Sequence, residues 1–312
     1  MKQAILMYNP KAGQRQILTQ LDYVAERMQS MGYQLNLYRS EAQGAIEKYI
    51  IDNITQQNTH LIIISGGDGT VNECINGIMK KKLNIPVSIL PLGTANDFAR
   101  TAGIPFEIKE ALALIEEGNL QPVDIGKVND EYFINVCNMG IFSGVSHEID
   151  LEFKKNFGKL AYYMKGMEEL QNYETMDIEI TSDEGNLKGD YVFILIFNGK
   201  GAGGFNKLAK HASITDGLFD VVAIKNVGLS AVPRLLIKAI QGEHLEDNNV
   251  DYLQISSAKI ECFNQHHKQF VTDLDGEVGP DFPLNIKVVT NKFQIYLPTA
   301  TPDTTRKILK RN

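Results

Sequence analysis

A glycine-rich turn at residues 65–70 carries the first side chains whose types and spacing could do chemistry. It reads Ser-Gly-Gly-Asp-Gly-Thr and follows the apolar run Leu-Ile-Ile-Ile. Glycines at a strand-to-helix junction leave backbone N–H groups unshielded at the positive end of a helix dipole, where phosphate oxygens bind. The carboxylate of Asp68 fits this picture, because a carboxylate beside phosphates acts through a metal ion. The turn therefore predicts a phosphate site, with a simple helix-packing turn as the alternative.

A second loop, residues 91–100, repeats the pattern after another predicted strand. It reads Pro-Leu-Gly-Thr-Ala-Asn-Asp-Phe-Ala-Arg and supplies Thr94, Asp97 and Arg100. Ligands of open parallel sheets bind beyond the carboxyl ends of the strands, so we expect both loops to border one crevice. Neither loop matches the Walker A or GxGxxG pattern. The alternative is structural, with Thr94 capping a helix and Asp97 pairing with Arg100.

The elements that position these loops alternate between strand and helix, which is typical of an open parallel α/β layer. Predicted strands lie at 4–8, 34–38, 61–64 and 87–90, and predicted helices at 17–28, 45–54 and 71–79. Beyond residue 123 the pattern favours an antiparallel β domain, interrupted by helices near 158–172 and 229–241. Its predicted strands are 123–128, 132–136, 177–181, 191–197, 219–224, 252–255, 259–263, 269–272, 284–289 and 293–297.

Length and composition indicate two globular domains. The 312 residues are more than one core usually holds, and 43% hydrophobic with 22% charged residues is ordinary for a globular protein. We place an α/β domain at 1–125 and a β domain at 126–297. A tail at 298–312 either frays or packs back on the first domain.

Charge and local sequence argue against several classes of protein. The net charge of −7 argues against broad attraction to nucleic acid. No apolar run is long enough to predict a transmembrane segment, and residues 1–8 do not read as a secretory signal, so we expect a cytoplasmic protein. The cysteines, Cys74, Cys137 and Cys262, fit no zinc spacing and are expected to be buried, reduced thiols. The histidines form no ligand set.

Together these motifs resemble the bacterial lipid kinases that carry a diacylglycerol kinase catalytic domain. That family is similar to sphingosine kinases and, more distantly, to NAD kinases and phosphofructokinases. The resemblance spans nearly the whole chain and rests on six sequence elements. They are Asn9-Pro10 with Gly13, SGGDGTVNE at 65–73, PLGTANDFAR at 91–100, Asp124 in VDIG, TDGLFD at 215–220 and Asp275-Gly276-Glu277.

The resemblance implies a nucleotide-binding α/β domain, a β-sandwich domain for the lipid substrate, and a cleft between them. Mg²⁺ and the co-substrate ATP are the implied cofactors. Asp68, Asp97 and Asp124 would hold the catalytic Mg²⁺ through water, and Glu277 would be the general base. A separate structural Mg²⁺ would be bound by Ser213, Asp216 and Leu218. The implied nucleotide-binding residues are Asn9, Pro10, Lys11, Ala12, Gly13, Ser40, Gly66, Gly67, Asp68, Gly69, Thr70, Val71, Asn72, Glu73 and Thr94.

The residues around Glu277 suit a base. Gly276 allows close approach, and the neighbouring carboxylates of Asp273 and Asp275 would raise the pKa of Glu277 by like-charge repulsion. The alternative is an acidic hairpin turn, because Asp-Gly is a common turn pair. The same alternative applies to Asp216-Gly217. Lys165 and Arg100 are further candidates to contact phosphates.

The expected reaction is transfer of the γ-phosphoryl group of ATP to a lipid hydroxyl, with diacylglycerol as the first-choice acceptor and phosphatidic acid as the product. The lipid would be met by transient, peripheral contact with a membrane surface. Two alternatives stay open: an NAD kinase-like or other soluble-alcohol kinase, and a nucleotide sensor without turnover. The four acidic residues of the predicted site argue against a nucleotide sensor, because a protein that only binds nucleotide needs no general base. They are Asp68, Asp97, Asp124 and Glu277. The oligomeric state is open, with a homodimer among the options.

Overall fold

The computed structural model describes residues 1–140, 175–203, 205, 207–227, 232–264 and 270–299. The first part is an α/β layer whose four strands pair in parallel in the order β2-β1-β3-β4. The carboxyl ends of these strands therefore lie at one edge. Its elements are β1 (Lys2–Tyr8), a 3-10 helix (Ala12–Arg15), α1 (Gln16–Ser30), β2 (Tyr33–Arg39), α2 (Ala45–Asn53), β3 (Leu61–Gly66), α3 (Asp68–Lys81), β4 (Val87–Pro91), α4 (Asp97–Thr101) and α5 (Ile108–Glu117).

Helices cover both faces of the parallel sheet. Ile62 and Ile64 of β3 pack in the cluster that includes α2 and α3, whereas Leu61 and Ile63 pack in the cluster that includes α1 and α5. Successive strand residues point to opposite faces, so a continuous apolar strand needs cover on both. Because β3 is buried on both faces, its position is fixed, and so is the position of the glycine turn that follows it.

The second part is built almost entirely from antiparallel pairs. From β14 to β15 the strands run in the order β14-β13-β7-β9-β8-β12-β15, and β10 pairs with β9 and β11. Its elements are β5 (Leu120–Val128), β6 (Glu131–Phe133), β7 (Val136–Gly140), β8 (Met176–Thr181), β9 (Asn186–Phe197), β10 (Phe219–Lys225), α6 (Val232–Gln241), a 3-10 helix (His244–Glu246), β11 (Val250–Ile255), β12 (Ser257–Cys262), β13 (Thr272–Leu274), β14 (Glu277–Val278) and β15 (Leu284–Tyr296).

Strand β15 joins the two parts. Its first half pairs with β12, for example Ile286 opposite Ala258, while Ile295 near its end pairs in parallel with Val87 of β4. Strand β5 runs antiparallel to nearly all of it. The strands of both parts therefore belong to a single hydrogen-bonded sheet that continues through β15.

Two predicted strand boundaries are wrong. The segment 132–136 is two strands, β6 and β7, because the N–H groups of Ile134, Asn135 and Val136 donate to the Asp275 carboxylate. The segments 284–289 and 293–297 belong to one strand, β15, which tolerates a register shift between Val289 and Phe293. Helix α5 was not predicted; α4 was considered only as a helix capped by Thr94, and in the structure its N-cap residue is Asn96.

Several predictions fall on the margins of the described chain. The helix near 158–172, with Lys165, lies outside the described residues, as do residues 300–312 of the tail. The start of the tail lies beside Asn119, whose Nδ2 donates to the carbonyls of Leu297 and Pro298 at 3.1 and 3.2 Å. The three cysteines are free thiols, of which Cys262 is half-buried rather than buried. In the described ranges, no helix combines the length and apolar character needed to cross a membrane.

Candidate active site

Three loops meet at the carboxyl edge of the parallel sheet. A Cβ added at Gly13, in the loop after β1, would lie 2.2 Å from the carbonyl oxygen of Leu92. One added at Gly93, after β4, would lie 2.3 Å from Cα of Gly67, after β3. Both positions therefore require glycine, and Gly13 also has a φ of +53°. These contacts bring the two loops that the sequence singled out to one place.

Asp68 ties the loop after β4 to the start of α3. Its two carboxylate oxygens accept the N–H groups of Asn96 and Asp97, each at 2.8 Å. Burial, followed by the negative charges of Asp97 and Asp275, raises the pKa of Asp68 to about 6, and the two backbone donors oppose this rise. The ionised form of Asp68, in the first turn of α3, is therefore destabilised by burial and by the nearby charges.

Two further acids face loops of the second domain. An oxygen of Asp97 accepts the N–H of Gly203 at 2.7 Å, and an oxygen of Asp124 accepts the N–H of Gly217 at 2.8 Å. Burial raises the pKa of Asp124; the Gly217 donor opposes the rise and the charge of Asp216 adds to it. Both acids therefore lie where the two domains meet.

Glu277 reaches from β14 to the beginning of α3. A Cβ added at Gly69 would lie 2.7 Å from Oε1 of Glu277, so the carboxylate rests directly on the glycine. The other oxygen, Oε2, accepts a hydrogen bond from Nε2 of Gln43, in the segment between β2 and α2. The acidic residue of the second domain thus lies against the glycine turn of the first.

Comparison with known proteins identifies the family. A model described as the diacylglycerol kinase catalytic domain matches residues 3–128, and one described as the YegS C-terminal NAD kinase beta sandwich-like domain matches residues 136–297. The diacylglycerol kinase of Bacillus subtilis (strain 168) is 33% identical over 284 residues, which cover 91% of this chain and 92% of that protein. The chain belongs to the diacylglycerol kinase family. It is therefore an enzyme of the lipid kinase class.

Other members of the diacylglycerol kinase family align over almost the full length. The diacylglycerol kinase of Staphylococcus carnosus is 32% identical over 305 residues, 97% of each protein. A crystal structure of a diacylglycerol kinase from Bacillus anthracis is 29% identical and covers 95% of this chain and 97% of that one, with a TM-score of 0.75. The predicted architecture, an α/β domain followed by a β-sandwich, is thereby confirmed.

Some predicted nucleotide-binding residues of this kinase hold the edge of the sheet together. The N–H of Asn9 donates to the carbonyl of Ser65, and its Oδ1 accepts the N–H of Lys11 at 2.9 Å. The N–H of Ser40 donates to the carbonyl of Tyr8. Their position agrees with a nucleotide site; contact with a nucleotide stays a prediction.

Other predicted nucleotide-binding residues of the kinase have structural partners. Val71 is buried in the apolar core, and Glu73 accepts the N–H of Ile46 at the start of α2, at 3.0 Å. Asn72 is buried and donates to Oδ2 of Asp275. Thr94, in contrast, is exposed on its loop. Of these four side chains, that of Thr94 is the one open to solvent for a ligand.

The predicted second metal site is a tight turn in the structure. Oδ1 of Asp216 accepts the N–H of Leu218 at 3.1 Å, and the hydroxyls of Ser213 and Thr215 lie 3.3 Å apart. Within the part of the chain that the structure describes, no group of three or more His, Cys, Asp or Glu side chains could hold a metal ion. A metal here would depend on backbone and hydroxyl oxygens, and the site stays a prediction.

Sequence reasoning missed a glycine-rich segment of the second domain. Residues 198–203 read Asn-Gly-Lys-Gly-Ala-Gly and follow β9. Asn198 is fully buried and donates to the carbonyls of Asp124 and Ile134, both at 2.7 Å, and Gly203 donates to Asp97. The signal was available, since alternate glycines after an apolar strand are the pattern used to find the first loop.

Arg100, a candidate for phosphate contact, is engaged elsewhere. Its Nε donates to the carbonyl of Ala95 at 3.1 Å, and its guanidinium lies 4.6 Å from the ring centroid of Phe106. These contacts tie the Arg100 side chain to the loop after β4 and to the Phe106 ring.

Proposed function

We propose that this lipid kinase transfers the γ-phosphoryl group of ATP to the hydroxyl of diacylglycerol, in a Mg²⁺-dependent reaction that yields phosphatidic acid. One observation carries the proposal: Glu277 of the second domain lies against Gly69, in the turn suited to phosphate. A base and a phosphate site belonging to different domains suit a reaction between two substrates that meet in the cleft. The names of the relatives, diacylglycerol kinases, support the choice of acceptor.

The residues present fit a nucleotide with a divalent cation. At Gly67 an added Cβ would meet only Cα of Gly93, at 3.5 Å, so space remains above the turn for a phosphate group. Because no three acidic side chains of the described residues lie close enough to ligate one metal ion together, Asp68, Asp97 and Asp124 would hold the cation through water. Bound Mg²⁺ would neutralise the charge of the phosphates. Burial is the main cause of the raised pKa of Asp68, and the repulsion from Asp97 and Asp275 that adds to it is what a cation would relieve.

Glu277 would take the proton of the attacking hydroxyl. The hydroxyl oxygen forms a bond to the γ-phosphorus, the bond from that phosphorus to the β–γ bridging oxygen breaks, and ADP leaves. The proton passes to a carboxylate oxygen of Glu277. Positioned proton transfer of this kind is worth about 10²–10⁴-fold in rate.

The test is a phosphorylation assay with labelled ATP, Mg²⁺ and mixed micelles that contain diacylglycerol, sphingosine, phosphatidylglycerol or NAD. Label in the diacylglycerol fraction is the expected result. Label in NAD alone would indicate a soluble-acceptor kinase, and stoichiometric ATP binding without label in any acceptor would indicate a sensor. Either result overturns the proposal.

The matched variant is Glu277→Gln, which keeps the size of the side chain and removes the base. We expect kcat to fall at least about 10²-fold while ATP affinity, measured by calorimetry, changes little. Unchanged turnover would remove Glu277 from the role of base without affecting the choice of acceptor.

A further inference from the structure

Asp275 occupies the turn between β13 and β14, two residues before Glu277. Its backbone has a φ of +56°, and its carboxylate is surrounded by donors. Oδ1 accepts the N–H groups of Asn135 and Val136, both at 2.9 Å, and Oδ2 accepts the N–H of Ile134 at 2.7 Å. The carboxylate thus fastens the turn to the segment between β6 and β7.

The same carboxylate also contacts the nucleotide-binding domain. Oδ2 of Asp275 accepts Nδ2 of Asn72, on α3, at 3.0 Å. Asn72 lies three residues after Gly69, on which the Glu277 carboxylate rests, and residues three apart lie on one face of a helix. The turn that carries Glu277 is therefore attached to α3 at two points, one helical turn apart.

A second buried asparagine extends this face of α3. Asn76 donates to the carbonyl of Tyr132 on β6 at 2.9 Å, and its Oδ1 accepts the N–H of Tyr132, also at 2.9 Å. It makes a comparable contact between α3 and the second part of the fold, but its side chain bonds to β6 and Asn72 rather than to the turn of Glu277. Asn76 is therefore a matched control for Asp275.

We propose that Asp275 is a positioning residue for Glu277. Through its hydrogen bond to Asn72, Asp275 sets the distance between the Glu277 carboxylate and the start of α3. The inference rests on the proposed role of Glu277 as base. The positioning depends on four N–H donors that all point toward the carboxylate of Asp275. In an Asp275→Asn variant the new amide group would face at least one N–H donor, so the turn would shift.

The first test is a double-mutant cycle in the full chain with D275N and E277Q. D275N alone should lower kcat by roughly 10²-fold, because misplacing a catalytic group by about 1 Å costs that much, and the ATP dissociation constant should stay within about threefold of wild type. Because Asp275 acts through Glu277, the double variant should be no slower than E277Q alone. N76A should loosen the interface while keeping kcat within about threefold.

Several results would overturn the proposal. They are a D275N enzyme with wild-type kcat, a D275N effect of equal size in the E277Q background, and a loss of kcat in N76A as large as that in D275N. The second would show that Asp275 acts independently of the base, and the third that any loosening of the interface suffices.

Hydrogen exchange gives a readout that does not depend on turnover. In D275N an NH2 group replaces one carboxylate oxygen, so either the amide of Ile134 or those of Asn135 and Val136 lose an acceptor and should exchange faster, whereas N76A should leave all three unchanged. Unchanged exchange in D275N contradicts the positioning role. A fully active E277Q enzyme instead contradicts the base role, so the two failures are distinguishable.

Discussion

Replacing Gly69 by alanine should separate stability from activity. Gly69 is the second residue of α3, and alanine is favoured over glycine in a helix by up to about 1 kcal/mol. The added Cβ would lie 2.7 Å from Oε1 of Glu277, whereas ordinary contact begins at 3.4 Å. The carboxylate must therefore withdraw by at least about 0.7 Å. We expect an unchanged or slightly raised Tm and a kcat lower by about 10–100-fold.

The matched control is Gly77→Ala, eight residues further along the same helix. There the added Cβ would lie 2.8 Å from Cβ of the buried Ile50, and such overpacking costs about 1–3 kcal/mol. We expect the opposite result, a Tm lower by several degrees with kcat preserved. Thermal unfolding followed by circular dichroism and the micelle assay measure both quantities. A Gly69→Ala enzyme with wild-type kcat would refute the reasoning, because Glu277 would then not act from its place on α3.

Two further predictions concern the acids and their supports. Because the pKa of Asp68 is raised from 3.8 to about 6, its contribution to stability falls as the pH rises from 3.8 through 6, by up to ~3 kcal/mol. The rise in Tm caused by Mg²⁺ should therefore be larger at about pH 7.5 than at about pH 5, and a rise independent of pH would contradict this. Asn198→Ala leaves the buried carbonyls of Asp124 and Ile134 without their donor; urea unfolding should show a loss of about 2–4 kcal/mol, and a loss below 1 would contradict it.

The sequence predicted the parallel layer well because each strand there is a continuous apolar run. It failed where side-chain hydrogen bonds override strand propensity. Nothing local in the stretch from Tyr132 to Val136 signals a break, since the acceptor of its N–H groups is Asp275, about 140 residues later in the chain. Helix α5 was a different kind of omission, because Ile108, Ala111 and Ile115 have helical spacing and are all buried.

For the site, the motifs were enough to predict that the two glycine-containing loops after β3 and β4 lie together, but not to predict the bonding partner of each residue. The family resemblance implies that Asn72 binds nucleotide, which stays a prediction, and the structure shows that its side chain donates to Asp275 and to the carbonyl of Tyr132. Asn76 has the same burial and received no prediction. Where the first turn of a helix is predicted to face a ligand and its side contacts a second domain, sequence alone cannot tell which polar residue serves which role, because both faces require polar residues.

The way the carboxylates of the cleft are held explains why a cation suits it. Asp68 is bound by the backbone donors of Asn96 and Asp97, Asp124 by that of Gly217, and Asp275 by donors from both parts of the fold. Neutral N–H donors fix the position of a carboxylate and favour its ionised form, but they do not cancel its charge. A lysine or arginine in the same place would neutralise the charge and compete with a divalent ion. Burial raises the pKa of all three acids despite these donors, so the folded chain holds negative charge at a cost to its stability. A divalent cation held by Asp68 and Asp124 would offset that cost, so the free energy of folding and the affinity for the cation would be linked through these two acids.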